Sequence, residues 1–139
     1  MGLTRLDIPH VAYKRSLSAN LTNVVKAKYG FKNGNFGTPG RSKNKYNNVR
    51  NIESNDPIET SKEFMIDLVT GFKFREAIKD THTNEIKGHK FIMKDGAIVV
   101  WRLHSSSDGS PAVDINVEGV KKGCLINMQK IHFIREEKK

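Results

Sequence analysis

Two hydrophobic periods divide the chain. Within SLSANLTNVVKAKYG, Leu17, Leu21, Val24 and Val25 recur at helical spacing, and Gly30 stands where a left-handed stop is wanted. Residues 16–30 are therefore expected to form a short helix. A second helix is expected from DPIETSKEF onward. Asp56 caps it, Pro57 suits its first position and Glu59 falls three residues after the cap. Ile58, Met65, Leu68 and Val69 make its apolar stripe, and Gly71 marks its end. FKFREAIKD reads equally as a strand or as a further turn of helix. From Gly88 the period falls to two. GHKFIMK and AIVVWRLHSSS flank Asp95-Gly96, a strong hairpin signal, and DGSP turns the chain into AVDINV. EGVKKGCL is a longer connection, and NMQKIHFI supplies a last strand. The expected class is α+β, with N-terminal helices packed on a four-stranded antiparallel sheet. One domain spans residues 1–139: a basic helix-plus-loop segment over 8–52, then a helix and antiparallel sheet over 53–139.

Alternation also sorts side chains by face. Ala97, Val99, Trp101 and Leu103 point one way, and Ile98, Val100, Arg102 and His104 the other. Val113, Ile115 and Val117 oppose Asp114 and Asn116, while Ile131 and Phe133 oppose Lys130 and His132. With each apolar set turned to the helices, Arg102, His104, Asp114, Asn116, Lys130 and His132 are expected to share the uncovered face. Those residue types suit RNA cleavage without a metal. A base takes the 2′-hydroxyl proton, an acid protonates the leaving 5′ oxygen, and cations stabilise the phosphoryl group. Imidazoles, which ordinarily titrate near pH ~6.5, fit both proton transfers, so His104 and His132 are the expected pair. Arg102 and Lys130 fit the phosphoryl charge. Ser105, Ser106 and Ser107 offer hydroxyls to the phosphate, and Asn116 a further substrate contact.

Charge adds a second feature. The net charge is +9, and all of the excess lies between Ile8 and Ile52, which holds nine Lys or Arg residues and no Asp or Glu. Such a block fits phosphate or an acidic protein. If about six of these cations met phosphates, log affinity would fall with log salt at a slope of roughly −4 to −5. Arg41, Lys43, Lys45 and Arg50 are expected phosphate contacts, and Phe31, Phe36 and Tyr46 lie among the cations as stacking platforms for single-stranded RNA. A solvated basic loop is the plainer alternative.

Other chemistries find less support. Cys124 stands alone, so neither a disulfide nor a cysteine-based zinc site is expected. There is no His-Glu-x-x-His, no Cys-x-x-Cys and no carboxylate cluster, so no metal or other cofactor is expected. A Ser106–His104–Asp114 triad lacks a nucleophile-elbow sequence. Asp114 with His132 leaves a metal-dependent DNase open, and a non-catalytic RNA-binding module is a third reading. No apolar run reaches the ~18 residues of a membrane span. The first residues lack the apolar core of a secretion signal, and Met1-Gly2 reads as a remnant of expression, which would make the chain a piece of something longer.

DPIETSKEF, KDGAIVVWRLHSSSDGSPAVDIN and the closing QKIHFI together resemble the C-terminal toxin domains of bacterial polymorphic toxins, the effectors of contact-dependent inhibition and related systems. More narrowly, Asp56 to Ile134 resembles the barnase–EndoU–colicin–RelE-like superfamily of metal-independent ribonucleases. The resemblance implies helices ahead of a four-stranded antiparallel sheet that carries the active site. It implicates Arg102, His104, Ser106, Lys130 and His132 in catalysis, with Thr60 and His89 as outside candidates. It also implies RNA as substrate, tRNA among the options, and an acidic immunity protein that blocks the site. Delivery would be from the cell surface or by secretion, as part of a larger effector acting in the target-cell cytoplasm.

Overall fold

The computed structural model describes residues 13–40, 48–105, 109–120 and 126–136. Its sheet corrects the expected architecture. Four strands do run as consecutive antiparallel neighbours: β4 (Ile86–Ile92), β5 (Ile98–Arg102), β6 (Ala112–Asn116) and β7 (Gln129–Arg135). They are only part of a seven-stranded mixed sheet, in the order β1-β2-β7-β6-β5-β4-β3. The added members are β1 (Thr38–Pro39), β2 (Val49–Ser54) and β3 (Phe74–Lys79). β2 runs parallel to β7, with Val49 opposite Lys130 and Ser54 opposite Arg135. Among the described residues the fold is therefore mostly sheet with three short helices, and not helices on a four-stranded antiparallel sheet.

The first helix also differs from expectation. Residues 16–30 hold two short helices, α1 (Leu17–Asn20) and α2 (Asn23–Lys28), broken where Thr22 caps α2 by accepting from the amide of Val25. The main helix, α3 (Pro57–Val69), starts as its capping residue dictates: Asp56 accepts from the Glu59 amide, and Pro57 occupies the first turn, where a missing N–H leaves nothing unpaired. Its inward side presents Phe64, Met65, Leu68 and Val69, all fully buried. They lie against Val99 and Trp101 of β5, Val113 of β6, and Ile131 and Phe133 of β7, which share one sheet face by register.

Aromatic rings tie the basic N-terminal segment to this core. Phe64 meets Tyr29 at 4.8 Å, Phe36 at 4.9 Å and Phe133 at 5.4 Å between ring centroids. Phe31 packs edge-on against Phe36. Phe36 is fully buried, so it fastens its loop and offers no stacking surface to a base. Trp101 donates its indole N–H to Ser61 at 2.8 Å, which satisfies the one polar atom that the indole buries. The Asp95-Gly96 turn closes β4 to β5, with Gly96 at φ +92. Asp95 accepts from Ala97 within that turn and from the Leu17 amide at the start of α1.

Candidate functional site

Register places the polar residues of β5, β6 and β7 on the face away from α3. Two cross-strand rows form. One runs Lys90, Val100, Asp114, Lys130 and Val49; the other runs Gly88, Arg102, Ala112, His132 and Asn51. Arg102, Asp114, Asn116, Lys130 and His132 therefore share a face, because side chains alternate along each strand. Asp114 sits at the centre. Its Oδ2 lies 3.8 Å from Arg102 Nε, and Lys130 stands directly across from it on β7.

Burial is the larger influence on Asp114 and pushes its carboxyl above the ordinary range. The nearby charges of Lys130 and Arg102, and of His132 when protonated, pull the other way without reversing the shift. The native fold thus holds this proton more tightly than the unfolded chain does. Asp114 accordingly favours folding most at pH below the ordinary carboxyl pKa of ~3.9, and that contribution is lost as pH rises from there through the raised value. Asp114→Asn removes the dependence. Melting temperatures of both proteins between pH 3 and 7 should show the variant gaining on the wild type as pH rises; a gap that moved the opposite way would mean that the ion pairs outweigh the burial.

The connection from β5 to β6 sets the two imidazoles. β5 ends at Arg102, so His104 belongs to a loop and not to the strand that its alternation pattern implied. The loop closes on itself: the Ser105 amide donates to the Ser110 carbonyl at 2.7 Å, and the Gly109 amide to the Ser105 carbonyl at 3.1 Å. Gly109 adopts φ +77, a left-handed conformation that glycine takes without strain. His104 Nδ1 lies 2.9 Å from the Gly109 carbonyl oxygen. A carbonyl only accepts, so Nδ1 carries the hydrogen; in the neutral ring this leaves the Nε2 lone pair on an exposed side chain.

His132 is on the expected face but is not uncovered. Only 5% of its surface is accessible, and two loop hydroxyls lie against its ring. Its Nδ1 is 2.9 Å from Ser110 Oγ and 3.4 Å from Ser105 Oγ. Consecutive residues, Gly109 and Ser110, thus hold the two imidazoles. Ser110 was missed by sequence reasoning: it follows the Asp-Gly of a turn and precedes a proline, and nothing local marks its hydroxyl as a partner for a residue on β7.

The remaining expected site residues divide cleanly. Ser105 belongs to the loop and touches His132. Arg50 is on the helix-side face, where its guanidinium donates to the carbonyls of Phe36 at 2.9 Å and Gly37 at 2.8 Å, so it clamps a turn and is not displayed to a substrate. Thr60 lies on α3, its hydroxyl paired with Ser54, on the other side of the sheet. His89 faces the core, 3% exposed and stacked on Trp101 with ring centroids 6.0 Å apart. Lys28 of the basic segment pairs with Asp67 at 3.1 Å and Glu63 at 3.6 Å. Ser106, Ser107, Arg41, Lys43, Lys45, Tyr46 and Cys124 lie outside the described residues.

Among the described residues, no group of three or more His, Cys, Asp or Glu side chains is gathered as a metal-ligand set. The pairing of Asp114 with His132 behind a metal-dependent DNase is also placed between Lys130 and Arg102, cations that oppose a divalent ion. Comparison with protein-family models, with curated proteins and with solved structures gives no match to this chain. The reading of the site rests on its own geometry.

Proposed function

We propose that this face and its loop form the active site of a metal-independent endoribonuclease. The observation that carries the reading is that Gly109 and Ser110 hold an exposed and a buried imidazole on the side of the sheet that groups Arg102, Asp114 and Lys130. His104 Nε2 takes the proton from an RNA 2′-hydroxyl, and that oxygen bonds to the adjacent phosphorus as the bond from phosphorus to O5′ breaks. The departing O5′ takes the Ser110 hydroxyl proton, which His132 replaces through Nδ1. Arg102 and Lys130 stabilise the phosphoryl oxygens, and Asp114 keeps the Arg102 guanidinium turned toward them. The products are a 2′,3′-cyclic phosphate and a 5′-hydroxyl.

The test is digestion in EDTA, with total RNA and plasmid DNA side by side. RNA alone should be cut. Plasmid cutting that EDTA abolishes would favour the metal-dependent DNase, and intact RNA that still binds with strong salt dependence would favour a non-catalytic binding module. The resemblance to secreted toxin domains adds a biological setting to the proposal: a toxin restrained by an acidic immunity protein. Its readout is growth arrest when the chain is expressed without a partner, and normal growth with confirmed folded protein would count against it.

A further inference from the structure

Beyond Lys130, at the end of the open face away from the imidazoles, lies an open cleft of ≈ 400 Å³. That volume is within the range of small-molecule sites. Its lining includes Asp114, Asn116 and Lys130, with Asn48 and Met128, the residues just before β2 and β7. From His132 along β7 to Met128 just before it, four residue steps span about 13 Å at ~3.3 Å per step. A strand of RNA whose scissile phosphate lay by the loop would cross that span in a nucleotide or two, with Lys130 midway.

The cleft's chemistry matches a base more closely than a phosphate. Met128 is 45% exposed although apolar. Its backbone is braced from both sides: the Asn127 amide donates to the Gly34 carbonyl at 2.9 Å, and the Gln129 side chain donates to the same carbonyl at 3.0 Å. An exposed thioether on a fixed backbone is a surface for the face of an aromatic ring. Asn116 Oδ1 accepts from the Glu118 amide at 2.9 Å, which orients the side chain and leaves its amide N–H groups to donate. Asn48 donates to Asn35 Oδ1 at 2.7 Å and to the Met128 carbonyl at 3.2 Å, so its own Oδ1 is the atom it offers as an acceptor. Asp114 adds a carboxyl at the border with Lys130.

The geometry points to a nucleobase subsite in this cleft: Met128 packs on the face of one base, and Asn116 and Asn48 bond its edge. The inference rests on the RNA reading above, and its test separates the two. Mixed-sequence 2′-O-methyl RNA hexamers, which lack the attacking hydroxyl and cannot be cleaved by this route, are bound to the protein and followed by fluorescence anisotropy. A single abasic position is moved along the strand. One position should weaken binding roughly tenfold, the size of a lost base-stacking contact. In the Asn116→Ala/Met128→Ala variant, the same abasic change should alter affinity less than about twofold, because the surface under that base and one of its two edge partners are already gone. A flat positional scan, or a sensitive position that persists in the double variant, would overturn the subsite while leaving RNA binding intact. Failure of the wild type to bind even the unmodified hexamer would remove both the subsite and the RNA reading beneath it.

Discussion

His104→Ala should lower the rate of RNA cleavage by roughly 10²–10⁴-fold while leaving the fold in place. That loss corresponds to about 2.7–5.5 kcal/mol of barrier. The stability cost is expected to be small, because the side chain is exposed and its ring makes a hydrogen bond to the Gly109 carbonyl, worth about 1 kcal/mol net. The two effects therefore separate in one preparation: initial rates on a defined RNA, and the melting temperature. His132→Ala is a poorer probe of chemistry, since it empties a buried site and removes the ring from Ser105 and Ser110 together. Ser110→Ala is cleaner, because the relay predicts a rate loss there although Ser110 is absent from the base step. A His104→Ala protein that cuts RNA at the wild-type rate would remove the base from the mechanism.

Phe64→Ala should be the most destabilising single change in the core, by about 3–5 kcal/mol. The ring is fully buried and meets three other rings, one from each of the loop before β1, the end of α2 and β7. Truncation opens a cavity where these elements join, and no other side chain can swing in without leaving its own contacts. Domains of this kind are stable by ~5–15 kcal/mol, so the variant keeps little margin. At about 3–4 °C per kcal/mol, the melting temperature should fall by roughly 10–20 °C. Circular dichroism melts of the two proteins check this. A fall of only a few degrees would mean that the aromatic cluster is not what joins the N-terminal segment to the sheet.

Parity was legible in the sequence where one face of a strand is apolar. Trp101, Val113 and Ile131 turn inward in one row, and Val100, Asp114 and Lys130 outward in the next, as alternation requires. Asp56 and Pro57 likewise announced the start of α3. The rest of the sheet had no local signature. β2 pairs with β7 in parallel across most of the chain's length, and its charged, Asn-rich surroundings look like loop. β3 is an exposed edge strand whose first three residues all face solvent, so it carries no clean period. Sequence spacing also cannot tell a displayed cation from one spent on the fold: Arg50 and Lys28 belong to the basic block, yet each is tied to a carbonyl or carboxylate of the same molecule. The site was half visible for the same reason. The strands placed Arg102, Asp114, Lys130 and His132 together, whereas the contacts of Ser105 and Ser110 with His132, and of Gly109 with His104, depend on a tight closure that composition does not encode.

The claim under all of this is that an attacking 2′-hydroxyl is deprotonated beside the Gly109–Ser110 turn. The most direct measurement is mass spectrometry of the ends left on a defined RNA oligonucleotide incubated with the protein in EDTA. The account predicts fragments ending in a 2′,3′-cyclic phosphate paired with 5′-hydroxyl fragments, and no cutting at a position blocked by a 2′-O-methyl group. Fragments bearing 5′-phosphates, or cutting that persists at the blocked position, would contradict it.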